Sequence, residues 1–227
     1  MLLRFPIASR ARRAAMLAAA LAALAPGVRA ASAPALPPSP VIDADDFVLD
    51  HSQVEWSESY LQWIAAFPRG SSPVSDTTGA LCDAKQQGDV WFLATSDGTG
   101  PVTRACTVPV GKTLFVPIAH TTERSGNREP DCPSMARIAA ANLSQHVSQL
   151  ALSIDGVPVA GLARHRLAIG DCFAPGVRQS PRSTARTSVA DGWYVMLQPL
   201  PAGAHTLAIG ARFDSMALSV TYKLEVR

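Results

Sequence analysis

The stretch Leu218-Ser219-Val220-Thr221-Tyr222-Lys223-Leu224-Glu225-Val226 alternates apolar and polar side chains without a break. Successive side chains of a strand point to opposite faces, so this spacing predicts a strand with one buried and one wet face. Upstream, 193–199 and 205–211 flank Leu200-Pro201-Ala202-Gly203-Ala204, a turn-rich connection that reads as an antiparallel hairpin. Asp97-Gly98 with Gly100 separates 90–94 from 102–108 in the same way, and Asp155-Gly156 separates 150–154 from 157–159. Segments 113–119 and 162–169 add two more strands. Roughly eight to ten short strands at this spacing predict an all-β, mainly antiparallel fold, a β-sandwich or jelly-roll-like architecture with two accessory α-helices. Val90-Trp91-Phe92-Leu93 and Leu114-Phe115-Val116 are apolar on both faces, which places them centrally, with a helix over one side.

The helices are read from spacings of three and four. Within 53–67, Trp56, Tyr60, Trp63, Ile64 and Phe67 fall on one face, which should dock on a sheet. An exported protein with a groove beside such a face could also stack sugar rings there. A second helix is predicted over 134–150, capped by Ser134, with Ile138, Leu143, Val147 and Leu150 as its apolar face and His146 exposed.

The N-terminus indicates a compartment. Arg4, Arg10, Arg12 and Arg13 precede an uncharged run over 14–26, and Val28-Arg29-Ala30 sets short residues where a signal peptidase reads. Residues 1–30 read as a cleaved export signal, by the general secretory route or, given Arg12-Arg13, the twin-arginine route. The Ala/Pro/Ser-rich segment 31–49 reads as a linker, and 50–227 as one β-sandwich domain. The mature protein is expected in the periplasm or outside the cell, with no transmembrane segment, because no stretch reaches the ~20 apolar residues a span requires. No cysteine follows the cleavage region to carry a lipid anchor, and no repeat of fixed period supports a solenoid or propeller.

Charge excludes one partner class. The chain has 20 Lys and Arg against 18 Asp and Glu, and Arg4, Arg10, Arg12, Arg13 and Arg29 leave with the signal. The mature domain is then slightly acidic with dispersed charges, which is no footprint for nucleic acid. The local basic run Arg178, Arg182 and Arg186 lies in a Ser/Thr/Pro-rich segment that reads as a solvated loop.

Cys82, Cys106, Cys132 and Cys172 make an even count in an exported chain, which favours two disulfides. Three connectivities are open; closing local loops favours Cys82 with Cys106 and Cys132 with Cys172. A zinc site lacks the C-x-x-C pairs expected of it.

Several segments taken together carry a resemblance: Asp76-Thr77-Thr78-Gly79 with Cys82, then Val90-Trp91-Phe92-Leu93, then Cys106-Thr107-Val108-Pro109 with Gly111-Lys112 and Leu114-Phe115, and Asp191-Gly192-Trp193-Tyr194 through Leu200, Gly203 and His205-Thr206. They resemble an uncharacterised family of exported bacterial proteins over most of the mature chain. The resemblance implies an intact secreted domain and no particular activity. His120 stands where such proteins carry Asn.

The chain has no G-x-S-x-G, H-E-x-x-H or S-x-x-K signature. A Ser-His-Asp set can be assembled from Asp191, His205 and many serines, but a triad is defined by geometry rather than by the presence of its residues. The best constellation is polar residues expected at strand ends: His120 and Glu123 after the 113–119 strand, Asp191 before the 193–199 strand, and His205 at the start of its own. Imidazole and carboxylate ligands at a sandwich rim would take a divalent metal and support a hydrolase or oxygenase. Against this, His205 shares parity with Leu207 and Ile209, which makes it a core histidine; Glu123 can pair with Arg124 or Arg128; and Asp191-Gly192 and Asp76-Thr77-Thr78-Gly79 can be plain turns. The sequence thus supports an exported β-sandwich that needs no cofactor and binds a small molecule, a saccharide or an envelope partner. A metal-dependent enzyme with ligands at the sandwich rim is the alternative, and a structural or assembly role is the third reading.

Overall fold

A computed structural model describes residues 40–68, 70–125, 131–174 and 187–227. The export signal, most of the linker and the Arg178, Arg182 and Arg186 loop lie outside the described residues, as does Arg128. Among the described residues there are ten strands and two α-helices, in the order β1 (Val41–Ile42), α1 (Gln53–Ala65), β2 (Val90–Phe92), β3 (Val102–Val108), β4 (Thr113–Arg124), α2 (Cys132–His146), β5 (Val147–Ile154), β6 (Val157–Pro158), β7 (Arg166–Phe173), β8 (Ser188–Leu197), β9 (Gly203–Phe213) and β10 (Met216–Val226). The strands form two sheets. One runs β1-β8-β4-β2, with β7 also on β8; the other runs β3-β10-β9-β5-β6.

The all-β sandwich is thus as expected, with one correction: the sheets are mixed. β2 pairs with β4 in parallel, and β3 with β10. The two expected hairpins around 97–100 and 200–204 are crossovers instead, because β2 and β8 lie in the first sheet while β3 and β9 lie in the second. The hairpin at Asp155-Gly156 forms as expected, both residues taking positive φ. β2 is an edge strand rather than a central one; β4 and β8 hold the centre of their sheet. The fold also starts earlier than Asp50, since Val41 and Ile42 pair with Leu197 and Met196.

Strand alternation divides the first sheet's side chains between two cores. Leu114, Val116 and Ile118 of β4, with Val195 and Leu197 of β8, meet Leu207, Ile209, Val220, Tyr222 and Leu224 of the second sheet. On the opposite face, Phe92, Phe115, Tyr194 and Met196 meet Tyr60, Leu61 and Trp63 of α1. The helix forms there because Ser52 and Glu55 close a capping box at its start and its aromatic face is buried in full at Tyr60. It ends at Ala65, so Phe67 packs from just beyond it.

The second helix departs from expectation at both ends. Asp131, not Ser134, caps it, with Pro133 in the first turn, and it stops at His146 so that Val147 and Leu150 belong to β5. Its buried residues are Ala139 and Leu143, whereas Ile138 is half exposed. Likewise 162–169 is divided, a short 3-10 turn over Leu162–His165 preceding β7. Both disulfides form as the local-loop reading has them. Cys82–Cys106 ties the 76–82 loop to β3 with Cα atoms 5.8 Å apart, and Cys132–Cys172 ties the start of α2 to β7 at 5.5 Å. Among the described residues no helix is long and apolar enough to cross a membrane.

Candidate functional site

His120 lies within β4 rather than after a strand, on the face under α1. Its ring stacks on Tyr194 at 5.7 Å between centroids and meets the edge of Tyr60 at the same distance. Across the ladder sits Gly192, where a Cβ would stand 2.5 Å from the His120 Cβ and 2.7 Å from the Tyr194 ring. That crowding explains Asp191-Gly192: it is not a turn but mid-strand backbone that must carry no side chain at 192. Burial pushes His120 down to about 4 and raises both tyrosines above their ordinary values, so the layer is neutral at pH 7. Its Nδ1 and the Tyr194 hydroxyl are buried without a hydrogen-bond partner among the described residues.

Asp191 points to the other face, as does Thr121 opposite it, whose hydroxyl donates to the Ala139 carbonyl of α2 at 3.0 Å. Arg166 grips the Asp191 carboxylate with Nε and Nη2, both at 2.9 Å, and also donates to Ser144 Oγ and the Ala140 carbonyl. The pair locks α2 onto β7 and β8, and the Asp191 hydrogen bonds raise the Arg166 guanidinium above its usual range. Glu123 accepts from Asn142 Nδ2 at 2.9 Å, and among the described residues no arginine pairs with it. His205, in the second sheet, is held between Asp155 Oδ2 at 2.8 Å and the Pro201 carbonyl at 2.9 Å, which engages both ring nitrogens. It is 6% exposed, a core histidine as its parity predicts.

The four candidate ligands therefore do not converge. His120 is on one face of its sheet, Glu123 and Asp191 are on the other, and His205 is in a different sheet. Among the described residues no three His, Cys, Asp or Glu side chains come together as a metal site. The Asp76 segment is a turn as read: its carboxylate accepts the backbone N–H groups of Thr78, Gly79 and Leu81.

A recess with room for a ligand lies elsewhere, along the edge of β5. Two contiguous shallow grooves of about 390 and 450 Å³ share Leu150 and Val159. One continues over Leu152, Pro158 and Ile209, and the other over Val147, Leu162 and Trp193. Among the described residues no ionisable side chain lines either. β5 bulges here, between Ser148 and Ala151, with Gln149 in the left-handed region at φ 54°. The bulge leaves Leu150 half-buried at the mouth of the sandwich. Trp193 closes the far end, its ring under the Arg166 guanidinium at 5.5 Å and its Nε1 buried without a partner among the described residues. Sequence reasoning missed this groove because Val147 and Leu150 continue the helical spacing of Leu143.

No family model and no curated protein matches the chain. Among solved structures, the solution structure of Amebosin aligns at 12% identity and TM-score 0.20, covering 56% of this chain and 100% of that one. The Dscam1 Ig7 domain, isoform 5, aligns at 11% identity and TM-score 0.18, covering 59% and 91%. Likenesses this weak identify no family for the chain.

Proposed function

We propose that this protein is an exported, non-enzymatic binding protein whose β5 groove holds a small apolar molecule or the apolar face of a saccharide. The observation that carries this reading is a recess lined by Leu150, Val159, Leu162 and Trp193 with no ionisable group among its lining residues, while Asp191 and His205 are paired and His120 is enclosed elsewhere. Apolar walls with one aromatic platform suit binding by contact area, and acid–base chemistry has no group to use there. Two disulfides and the N-terminal signal pattern support export to an oxidising compartment, and the resemblance to exported bacterial proteins agrees.

The test is NMR titration of 15N-labelled protein with 8-anilinonaphthalene-1-sulfonate and, separately, with a set of neutral oligosaccharides. The expected result is shifts centred on Leu150, Val159 and the Trp193 indole N–H, lost in Leu150→Asp. Shifts that leave all three unmoved with every probe overturn the reading.

A further inference from the structure

On a surface distinct from the β5 groove, the segment Ile42-Asp43-Ala44-Asp45-Asp46-Phe47-Val48-Leu49-Asp50-His51 carries the most exposed large apolar residue of the described chain, Phe47 at 71%, with Leu49 beside it at 52%. Val48 between them is buried at 7%, so the local backbone turns one apolar residue in and two out. The segment is held from below. Val48 and His51 exchange backbone hydrogen bonds of 2.9 and 3.1 Å, Trp56 Nε1 donates to the Val48 carbonyl at 2.8 Å, and the buried Gln53 amide donates to the carbonyls of Asp43 and Asp46. Leu49 and Asp50 form the tip at φ 51° and 63°, where the backbone alone favours Gly or Asn. The fold thus keeps a leucine facing solvent at a position that glycine would fill with less strain.

Charge says what covers it. From 41 to 67 the sequence has no Lys or Arg, whereas Asp43, Asp45, Asp46, Asp50, Glu55 and Glu58 all lie in it. Of these, Glu55 is engaged by His51 at 3.7 Å, and none holds a Lys or Arg partner among the described residues. An acidic rim repels phosphate backbones and anionic lipid headgroups. It attracts Lys and Arg, and apolar anchors ringed by complementary charge are how pinned loops seat on a protein. We infer that Phe47 and Leu49 are anchors for a basic protein surface that offers an apolar pocket bordered by Lys or Arg side chains.

The test titrates the disulfide-bonded 15N-labelled protein with a capped eight-residue peptide alternating Lys and Leu, and with its Glu/Leu counterpart. Expected are shifts centred on 43–55 with the Lys/Leu peptide alone, weakening as salt is raised from about 20 to about 200 mM. Phe47→Ser and Leu49→Gly should each weaken binding at least about fivefold, although Leu49→Gly relaxes the turn and should raise the melting temperature. Equal response to the Glu/Leu peptide, shifts centred on Trp193, or wild-type affinity in Phe47→Ser would each overturn the inference. The groove is tested separately by its own probes.

Discussion

The Arg104 guanidinium donates to the Tyr222 hydroxyl at 2.6 Å in the closed interior of the sandwich. Arg104 is 2% exposed and has no carboxylate partner among the described residues; instead all five of its N–H groups are used, the other four on the carbonyls of Val74, Asp76, Ala94 and Thr95. Three separate segments, 74–76, 94–95 and β10, are thereby tied to β3. Arg104→Met should destabilise by at least about 3 kcal/mol, because the Val74, Asp76 and Thr95 carbonyls lose their guanidinium donors. Tyr222→Phe should cost about 2 to 3 kcal/mol, since the hydroxyl also bridges the Ala94 N–H and carbonyl. Urea denaturation of both variants measures this, and costs below about 1 kcal/mol would show the hub to be dispensable.

His120 gives stability a pH dependence of defined sign. Burial holds it at about 4, below the ordinary imidazole value near 6.5. The unfolded ring therefore takes up its proton first as pH falls, so the stability tied to the neutral ring is complete above about pH 6.5 and is lost between there and about pH 4. The loss amounts to about 3 kcal/mol. His120→Asn should remove that slope while leaving stability at pH 7 within about 1 kcal/mol. Denaturation curves at pH 7, 5 and 4 for both proteins decide it; parallel losses would mean that His120 is not the group responsible.

What sequence made legible, and what it did not, divides by the range of the interactions. The β10 alternation and the aromatic face of α1 are set within a few residues and appear as expected, and the two disulfides join cysteines that are neighbours in the sequence order of the four. The Leu200-Pro201-Ala202-Gly203-Ala204 reading failed because turn residues show that the chain reverses, not which sheet receives it. Asp191-Gly192 carries a local turn signature that long-range partners override: Arg166, 25 residues earlier, pairs with the acid, and His120 occupies the space a side chain at 192 would need. Arg104 shares inward parity with Val102, Cys106 and Val108 in β3, a signal present in the sequence but easily discounted for a charged residue. The hairpin between β9 and β10 turns at Asp214, at φ 52°, with no glycine to announce it.

Both disulfides should be complete in the purified protein. Alkylation under denaturing conditions without reduction should label no thiol, and peptide mapping should recover Cys82 joined to Cys106 and Cys132 to Cys172. Cys132→Ser with Cys172→Ser frees the start of α2 from β7 and should cost about 3 to 4 kcal/mol. Four labelled thiols in the untreated protein would overturn the bridged state.

Trp63 is 7% exposed, packs on Phe92 at 5.6 Å between ring centroids, and donates Nε1 to the Ala84 carbonyl at 3.0 Å. It therefore anchors both the α1 core and the 84–86 loop. Trp63→Ala should lower stability by about 3 to 5 kcal/mol, the usual consequence of emptying a buried large aromatic site. A melting temperature within a degree or two of wild type would instead favour an exposed aromatic platform on α1.

His205 separates the binding-protein reading from the metal-enzyme one. With its two nitrogens held by Asp155 and Pro201, the ring has no lone pair directed at a ligand, and its neighbours in the metal proposal lie on another sheet. A structural role predicts that His205→Gln destabilises by about 1 to 3 kcal/mol, because the Asp155 carboxylate or the Pro201 carbonyl loses its donor. Asp155 also accepts the Thr206 N–H at 2.7 Å, so the hairpin between β5 and β6 should loosen from β9, visible as faster amide exchange at Thr206 and Leu207. A ligand role predicts a different pattern: close to one equivalent of zinc, copper or iron by elemental analysis of protein purified without chelator, lost in His205→Gln with β-sheet content unchanged. The geometry favours the first pattern, equal metal content in both proteins together with a loss of stability confined to the variant. A stoichiometric metal that disappears with His205 would reverse that assignment and restore the rim as a catalytic site.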